Sequence, residues 1–252
     1  MWQSAKLLKD KHCFFGREGG VSKGKYSGLN VNTKSLDNVA DLEKNLEIAA
    51  AKVGLKKENL VLLNQGVSNK AVFIDYASRD FVEADGTVCK KRGIGLCIRT
   101  ADCTPILFED RKNNIIGAAH AGWRGAFKGI ISNVVDLMVE NGAEIENIVA
   151  AVGPCIAQES YEVDENFYSE FLSKDKVNKK YFINGIKNGF YQFDLQGFCV
   201  DELKKVGIKN IDVANHDTYK QKYEYFSFRR DTHEGIVGQP KDFATQLSVI
   251  VL

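Results

Sequence analysis

The sequence predicts a layered α/β fold, a mixed β-sheet flanked by helices in a single domain spanning residues 1–252. Three observations carry that expectation. Short β-branched or continuously apolar runs recur along the chain, as expected of strands covered on both faces. Amphipathic stretches with apolar residues three and four apart lie between them, and the interleaving implies helices layered on sheet. No Pro- or Ser-rich linker and no internal repeat divides the 252 residues, a length that can bury a sizeable core.

Taken in order, a short apolar stretch at Cys13 to Phe15 leads into a glycine-rich turn, Gly16 to Gly24. Ser35 to Val53 reads as a helix, with Leu42, Leu46, Ile48, Ala49 and Val53 approximating a stripe and Gly54 as its stop. Strand-like runs follow at Leu60–Leu63, Ala71–Asp75, Gly95–Arg99, Pro105–Glu109 and Ile115–Ala119. A helix is expected from Phe127 to Asn141, a buried strand at Ile148–Val152, and a helix at Leu195–Val206. Ile208–Val213 and Leu247–Leu252 read as the late strands.

Composition removes several function classes. Lys and Arg number 34 against 33 Asp and Glu, so nothing in the charge balance points to nucleic acid or an anionic membrane. No apolar run approaches the roughly 18 residues of a membrane span, and the first ten residues lack the apolar core of a secretory signal. A cytoplasmic protein is expected, a monomer or homodimer. The six cysteines form no CxxC pair and are too scattered for a disulfide scaffold. Only four histidines, at 12, 120, 216 and 233, are available for metal or acid–base chemistry.

Chemistry-bearing residues concentrate between Thr100 and Gly125. Thr100-Ala101-Asp102-Cys103 leaves one strand, and His120-Ala121-Gly122-Trp123-Arg124-Gly125 leaves another. A thiol and an imidazole on neighbouring loops can bind zinc, or form a nucleophile pair in which the imidazole activates the thiol. The plain alternative is a core cysteine and a histidine bonded to backbone. Gly153-Pro154-Cys155-Ile156 is a second turn after a buried strand. Phe226-Ser227-Phe228-Arg229-Arg230-Asp231 sets two arginines beside aromatics, able to hold an anion and stack a base, or simply a strand end paired to a surface Asp. The chain has no P-loop, HExxH or GxSxG motif.

Together these segments resemble one family. Phe14 to Ser22 with Gly28-Leu29-Asn30-Val31, then Asp85-Gly86, Thr100 to Cys103, His120 to Gly125, Gly153 to Ile156 with Tyr161-Glu162-Val163, and Phe226 to Asp231 follow its order. This is the YfiH-like family, also called multicopper polyphenol oxidase or laccase-domain proteins. The resemblance spans about residues 13 to 252. It implies a fold akin to a Cys–His toxin deamidase and a zinc-dependent purine nucleoside phosphorylase. Adenosine, inosine, guanosine and methylthioadenosine are the implied substrates, with phosphate, and adenosine deamination is a side activity. Copper is the older attribution and suits a chain with four histidines poorly.

The resemblance carries two zinc ligands over, Cys103 and His120. The third ligand, a histidine of a Gln-x-His segment, falls on Val67 of Asn64-Gln65-Gly66-Val67-Ser68, and valine cannot bind metal. Weakened zinc binding is therefore expected. Cys103, His120 and Asp102 are the expected catalytic residues. Arg17, Arg124, Arg229 and Arg230 are the expected donors to substrate phosphate. Trp123, Phe226 and Phe228 are candidates to stack on the purine. Two rival readings stand beside this one: a metal-free Cys–His amidase acting on a peptidoglycan precursor, and a disabled purine-binding protein.

Overall fold

The computed structural model describes all residues except 1, 4, 10, 78–81, 239 and 240, with the side chains of residues 2 and 3 also left undescribed. The strands divide among three sheets. One runs β1 (Trp2–Gln3), β2 (Lys11–Phe15), β14 (Gln246–Val251), β6 (Gly95–Thr100) and β3 (Leu60–Val61). The second runs β13 (Asn210–Val213), β9 (Val149–Val152), β7 (Thr104–Asp110), β8 (Ile115–Ala121), β5 (Gly86–Cys89) and β4 (Ala71–Ile74). A smaller third sheet holds β10 (Glu162–Asp164), β12 (Phe190–Phe193) and β11 (Phe182–Asn184). Both large sheets are mixed: β3 with β6, β4 with β5 and β9 with β13 are parallel pairs, and the others are antiparallel.

The continuous apolar strands are explained by four layers. Leu96 and Ile98 of β6 and Ile250 of β14 face Leu107, Ile116, Ala118 and Ala151 of the second sheet. On the outer side of the first sheet, Cys13, Cys97, Leu247 and Val249 pack on Leu46, Ala49 and Val53 beneath α1 (Val39–Lys52). On the outer side of the second, Ile106, Phe108 and Ala119 pack on α3 (Ile130–Glu140) and α5 (Leu195–Lys205). Alternate residues of each strand thus enter different apolar layers, so no polar face interrupts the sequence pattern. Among the described residues no helix is long and apolar enough to cross a membrane.

The α/β class is as the sequence indicates, although the strands form two stacked sheets plus a small third one. The helix expected from Phe127 to Asn141 is α3, beginning three residues later, with a separate short helix before it. Gly129, at φ +94, ends the short α2 (Trp123–Phe127) and starts α3. Helix α1 begins at Val39 instead of Ser35, because the Asn38 side chain accepts from Ala40 and Asp41 and caps it there. Gly54, at φ +76, follows its last turn as expected. Phe226 to Asp231 is no strand end: Ser227 caps the first turn of α6 (Phe228–His233). Strand β5, the third sheet and α4 (Glu165–Lys174) were not foreseen. The third sheet and α4 are held by an aromatic cluster in which Trp123 meets Phe167 at 4.5 Å and Phe171 meets Phe193 at 4.8 Å.

Candidate active site at the end of the second sheet

Three neighbouring strands align the chemistry. Pro105 of β7 is opposite His120 of β8, and Ala119 of β8 is opposite Gly86 of β5. Residues just outside β7 and β5 are Cys103 and Asp85, so a thiol, an imidazole and a carboxylate lie in a row at one sheet end. Cys103 occupies the turn by which the chain leaves β6 in the first sheet and enters β7 in the second.

The row is hydrogen-bonded. His120 Nδ1 is 2.7 Å from Asp85 Oδ1, and the ring also bonds the Cys103 sulfur, which leaves Nε2 for that contact. Asp85 is fully buried and accepts from the backbone N–H groups of Gly66, Val67 and Ser68 at 3.2, 3.1 and 2.6 Å, and from the Ser68 hydroxyl at 2.6 Å. Burial alone would raise this carboxylate, but the His120 hydrogen bond and charge with the Ser68 donors hold it down to about 2. Burial alone would lower His120, but the Cys103 sulfur and Asp85 outweigh it and raise the imidazole to about 9. The pair is an ion pair shielded from water.

The same carboxylate shapes the neighbouring loop. Gln65 accepts from Arg99 N at 2.8 Å and donates to Arg99 O at 2.7 Å, extending the edge of β6. Three successive amides directed at Asp85 then force Val67 to φ +59, a left-handed conformation that β-branched residues avoid. Its side chain is thereby set beside Cys103: a Cβ built on Gly122 would lie 3.0 Å from Cys103 Sγ and 3.3 Å from Val67 Cγ1. Gly122 is needed to let the three come together.

Cys103, His120 and Val67 line a cavity of about 340 Å³ with mainly apolar walls, Phe228 and Phe243 among them. The two rings meet edge to face at 4.8 Å. Arg99, Lys34 and Lys241 supply the positive charge at this cavity. Arg99 itself is buried and donates to Thr33 Oγ1 and Leu63 O.

The structure rearranges the expected catalytic set. Asp102 follows a different course from the one anticipated. Its carboxylate accepts from Thr218 Oγ1 at 2.7 Å and from Arg229 N at 2.7 Å, and it does not line the cavity. At φ +89 it pins the crossover turn and positions Cys103. Asp85, missed in that role, is the carboxylate that touches His120. The signal was Asp85-Gly86 standing before a strand, but nothing in one sequence tied it to a histidine 35 residues on.

The four arginines expected at substrate phosphate do not line one cavity. Arg17 donates to Ser27 O and Lys222 O and lies over the Phe226 ring, and Arg230 is buried against Thr218 O, Tyr219 O and Tyr225 O. Neither lines the Cys103 cavity. Arg124 and Arg229 line a separate groove beside it. Of the stacking candidates, Phe228 reaches the cavity, Phe226 is buried, and Trp123 belongs to the aromatic cluster. His216 bonds Gln221, His233 bonds Tyr219 and His12 bonds Ala5 N, all away from the site. All six cysteines are free, and Cys155 is buried.

For the zinc that the resemblance implies, the donor set falls short. Cys103 and His120 face each other, Asp85 is engaged by five donors, and the third position is Val67. Among the described residues no group of three or more His, Cys, Asp or Glu is placed to hold a metal. Catalytic zinc ordinarily takes about three protein ligands, so these residues do not fit it.

A family model described as multi-copper polyphenol oxidoreductase laccase matches residues 11–241. A purine nucleoside phosphorylase of Rickettsia prowazekii is 44% identical over 178 residues, 71% of this chain and 73% of its own length. The purine nucleoside phosphorylase of Haemophilus influenzae is 31% identical over 229 residues, 90% of this chain and 92% of that one. The crystal structure of a Neisseria meningitidis protein of the DUF152 family superposes with a TM-score of 0.88 at 30% identity, covering 100% of this chain and 98% of that one.

Proposed function

Because this chain belongs to the YfiH-like, multi-copper polyphenol oxidoreductase laccase family, we propose that it is a purine nucleoside phosphorylase and that the Cys103–His120 cavity cleaves the nucleoside. One observation carries the assignment to this cavity: a buried His120, oriented by Asp85, faces an aromatic-walled space beside Cys103. Phe228 and Phe243 offer faces for a planar purine. In the reaction a phosphate oxygen bonds to C1′ as the C1′–N9 bond breaks. The electron pair leaves with the purine, which takes a proton from the imidazolium of His120. The proton carried by phosphate restores the balance, giving the free base and ribose 1-phosphate. Asp85 keeps Nε2 directed at the cavity and stabilises the cationic ring.

The chemistry is assigned to these side chains, with no step through zinc. Copper fares no better, since only His120 among the histidines lines the cavity. Deamination of adenosine belongs to the reading as a minor outcome at the same site. The second reading, a thiol amidase, is favoured by one feature: Cys103, His120 and Asp85 are arranged as nucleophile, base and orienting carboxylate. Chromatography of adenosine incubated with the protein, with and without phosphate, tests the main reading. Adenine that appears only with phosphate is expected, whereas inosine marks deamination. Release of neither product, with or without added zinc, overturns the phosphorylase.

A further inference from the structure

A groove of about 520 Å³ adjoins the catalytic cavity, with Arg124, Arg229, Tyr161 and Trp123 on its walls. Groove and cavity are walled by consecutive residues. Phe228 lines the cavity and Arg229, the next residue, lines the groove, so one turn of chain walls both. Asp102, beside Cys103, fixes that turn by accepting from Arg229 N at 2.7 Å.

The groove holds unengaged donors. The guanidinium of Arg124 lies 4.1 Å from the Trp123 ring centroid, and among the described residues it makes no hydrogen bond or ion pair. Arg229 lies 5.1 Å over the Tyr161 ring and gives one N–H to Glu162 O, leaving others free. The Tyr161 hydroxyl likewise has no protein partner among the described residues, although the ring is packed against Phe167 and Phe193. Burial and the Cys103 sulfur both keep this phenol protonated, so it remains a donor. Two forked cations and a phenol converging on one space suit a tetrahedral oxyanion. Glu162, Asp164 and Glu170 also border the groove. Such a rim opposes any anion, so one that stays must be held by directed hydrogen bonds from the arginines and the phenol.

We propose that this groove seats the inorganic phosphate, with Arg124, Arg229 and Tyr161 as its donors, and that the ribose of a nucleoside whose base lies in the cavity sits where cavity and groove meet, so that a phosphate oxygen reaches C1′. The proposal rests on the phosphorylase reading for its role, but not for its binding. Lys34 and Lys241 of the catalytic cavity are the rival cations, and both are exposed.

Two measurements on the full chain decide it. In initial-rate assays, Arg124→Gln should raise the phosphate KM about tenfold with the nucleoside KM within about twofold, a larger rise than the double variant Lys34→Gln/Lys241→Gln gives. The opposite pattern overturns the proposal. Calorimetric titration with inorganic phosphate, without nucleoside, should show one site that weakens in both Arg124→Gln and Arg229→Gln. If no purine is released but this titration behaves as stated, the groove stands and the phosphorylase reading falls. If phosphate does not bind, or binds the arginine variants as well as the parent, the groove falls whatever the activity.

Discussion

Asp85 and Asp102 are both buried aspartates near the same Cys–His pair, and they do opposite work. Asp85 points along the sheet end to His120 and gathers the amides of residues 66–68. Asp102 is adjacent to Cys103 in sequence, yet its carboxylate turns away to Thr218 and the first turn of α6. Nearness along the chain is therefore a poor guide to the role, because a side chain's chemistry follows what its terminal atoms touch. One residue orients the imidazole. The other holds the turn that carries the thiol.

The largest expected effect separates the two roles. Asp85→Asn leaves the imidazole without a carboxylate and lets it adopt the wrong tautomer, so kcat should fall by about 10²- to 10⁴-fold with a nearly unchanged nucleoside KM. Asp102→Asn should act mainly on stability and spare kcat. An amide cannot accept at both oxygens, and one buried donor is left unpaired at a cost of about 1–3 kcal/mol. Thermal unfolding should shift down by several degrees while kcat falls less than about tenfold. Equal losses of kcat in the two variants would erase the distinction.

Legibility in the sequence divides along the same line. The strands β6, β7 and β8 were readable because they are covered on both faces and so remain apolar throughout. Cys103 and His120 stood out through their flanking motifs. Strand β5 was not readable: Gly86–Cys89 is four residues long and carries no period. With β5 unplaced, Asp85 had no visible route to His120. The arginines were misjoined for a related reason. Arg229 and Arg230 are consecutive, but a helix sends one to the groove and the other to buried carbonyls.

The pH dependence of stability sharpens the comparison at smaller amplitude. Asp85 is depressed to about 2, so its contribution is present above the ordinary carboxylate range and is lost as pH falls toward 2. His120 is raised to about 9, so its contribution is full below the ordinary histidine range and is lost as pH rises through 9. The stability gap between the parent and Asp85→Asn should therefore be widest between about pH 4 and 6.5 and narrow on both sides. Denaturant unfolding at pH 3, 5.5 and 9 reads it. A constant gap would mean that the two groups are not an ion pair.

The smallest energetic effect concerns the loop that Asp85 shapes. Val67 is held at φ +59 by hydrogen bonds that its neighbours and its own amide make, not by anything its side chain gains. Strain of that kind is worth roughly 1–3 kcal/mol, and histidine and asparagine tolerate the left-handed region better than valine. Val67→His and Val67→Asn should both therefore unfold about 1–3 °C higher in the presence of a chelator. Only the histidine variant adds a nitrogen donor beside Cys103 and His120. After incubation with zinc and dialysis it should retain about one metal ion per chain, while the parent and the asparagine variant retain less. Adding Asp85→Asn to Val67→His should lose that metal, since the amides at 66–68 would no longer be gathered and His120 would no longer be oriented. Stoichiometric zinc in the parent protein would instead show that two protein donors suffice here, and that the left-handed valine is no barrier to the metal.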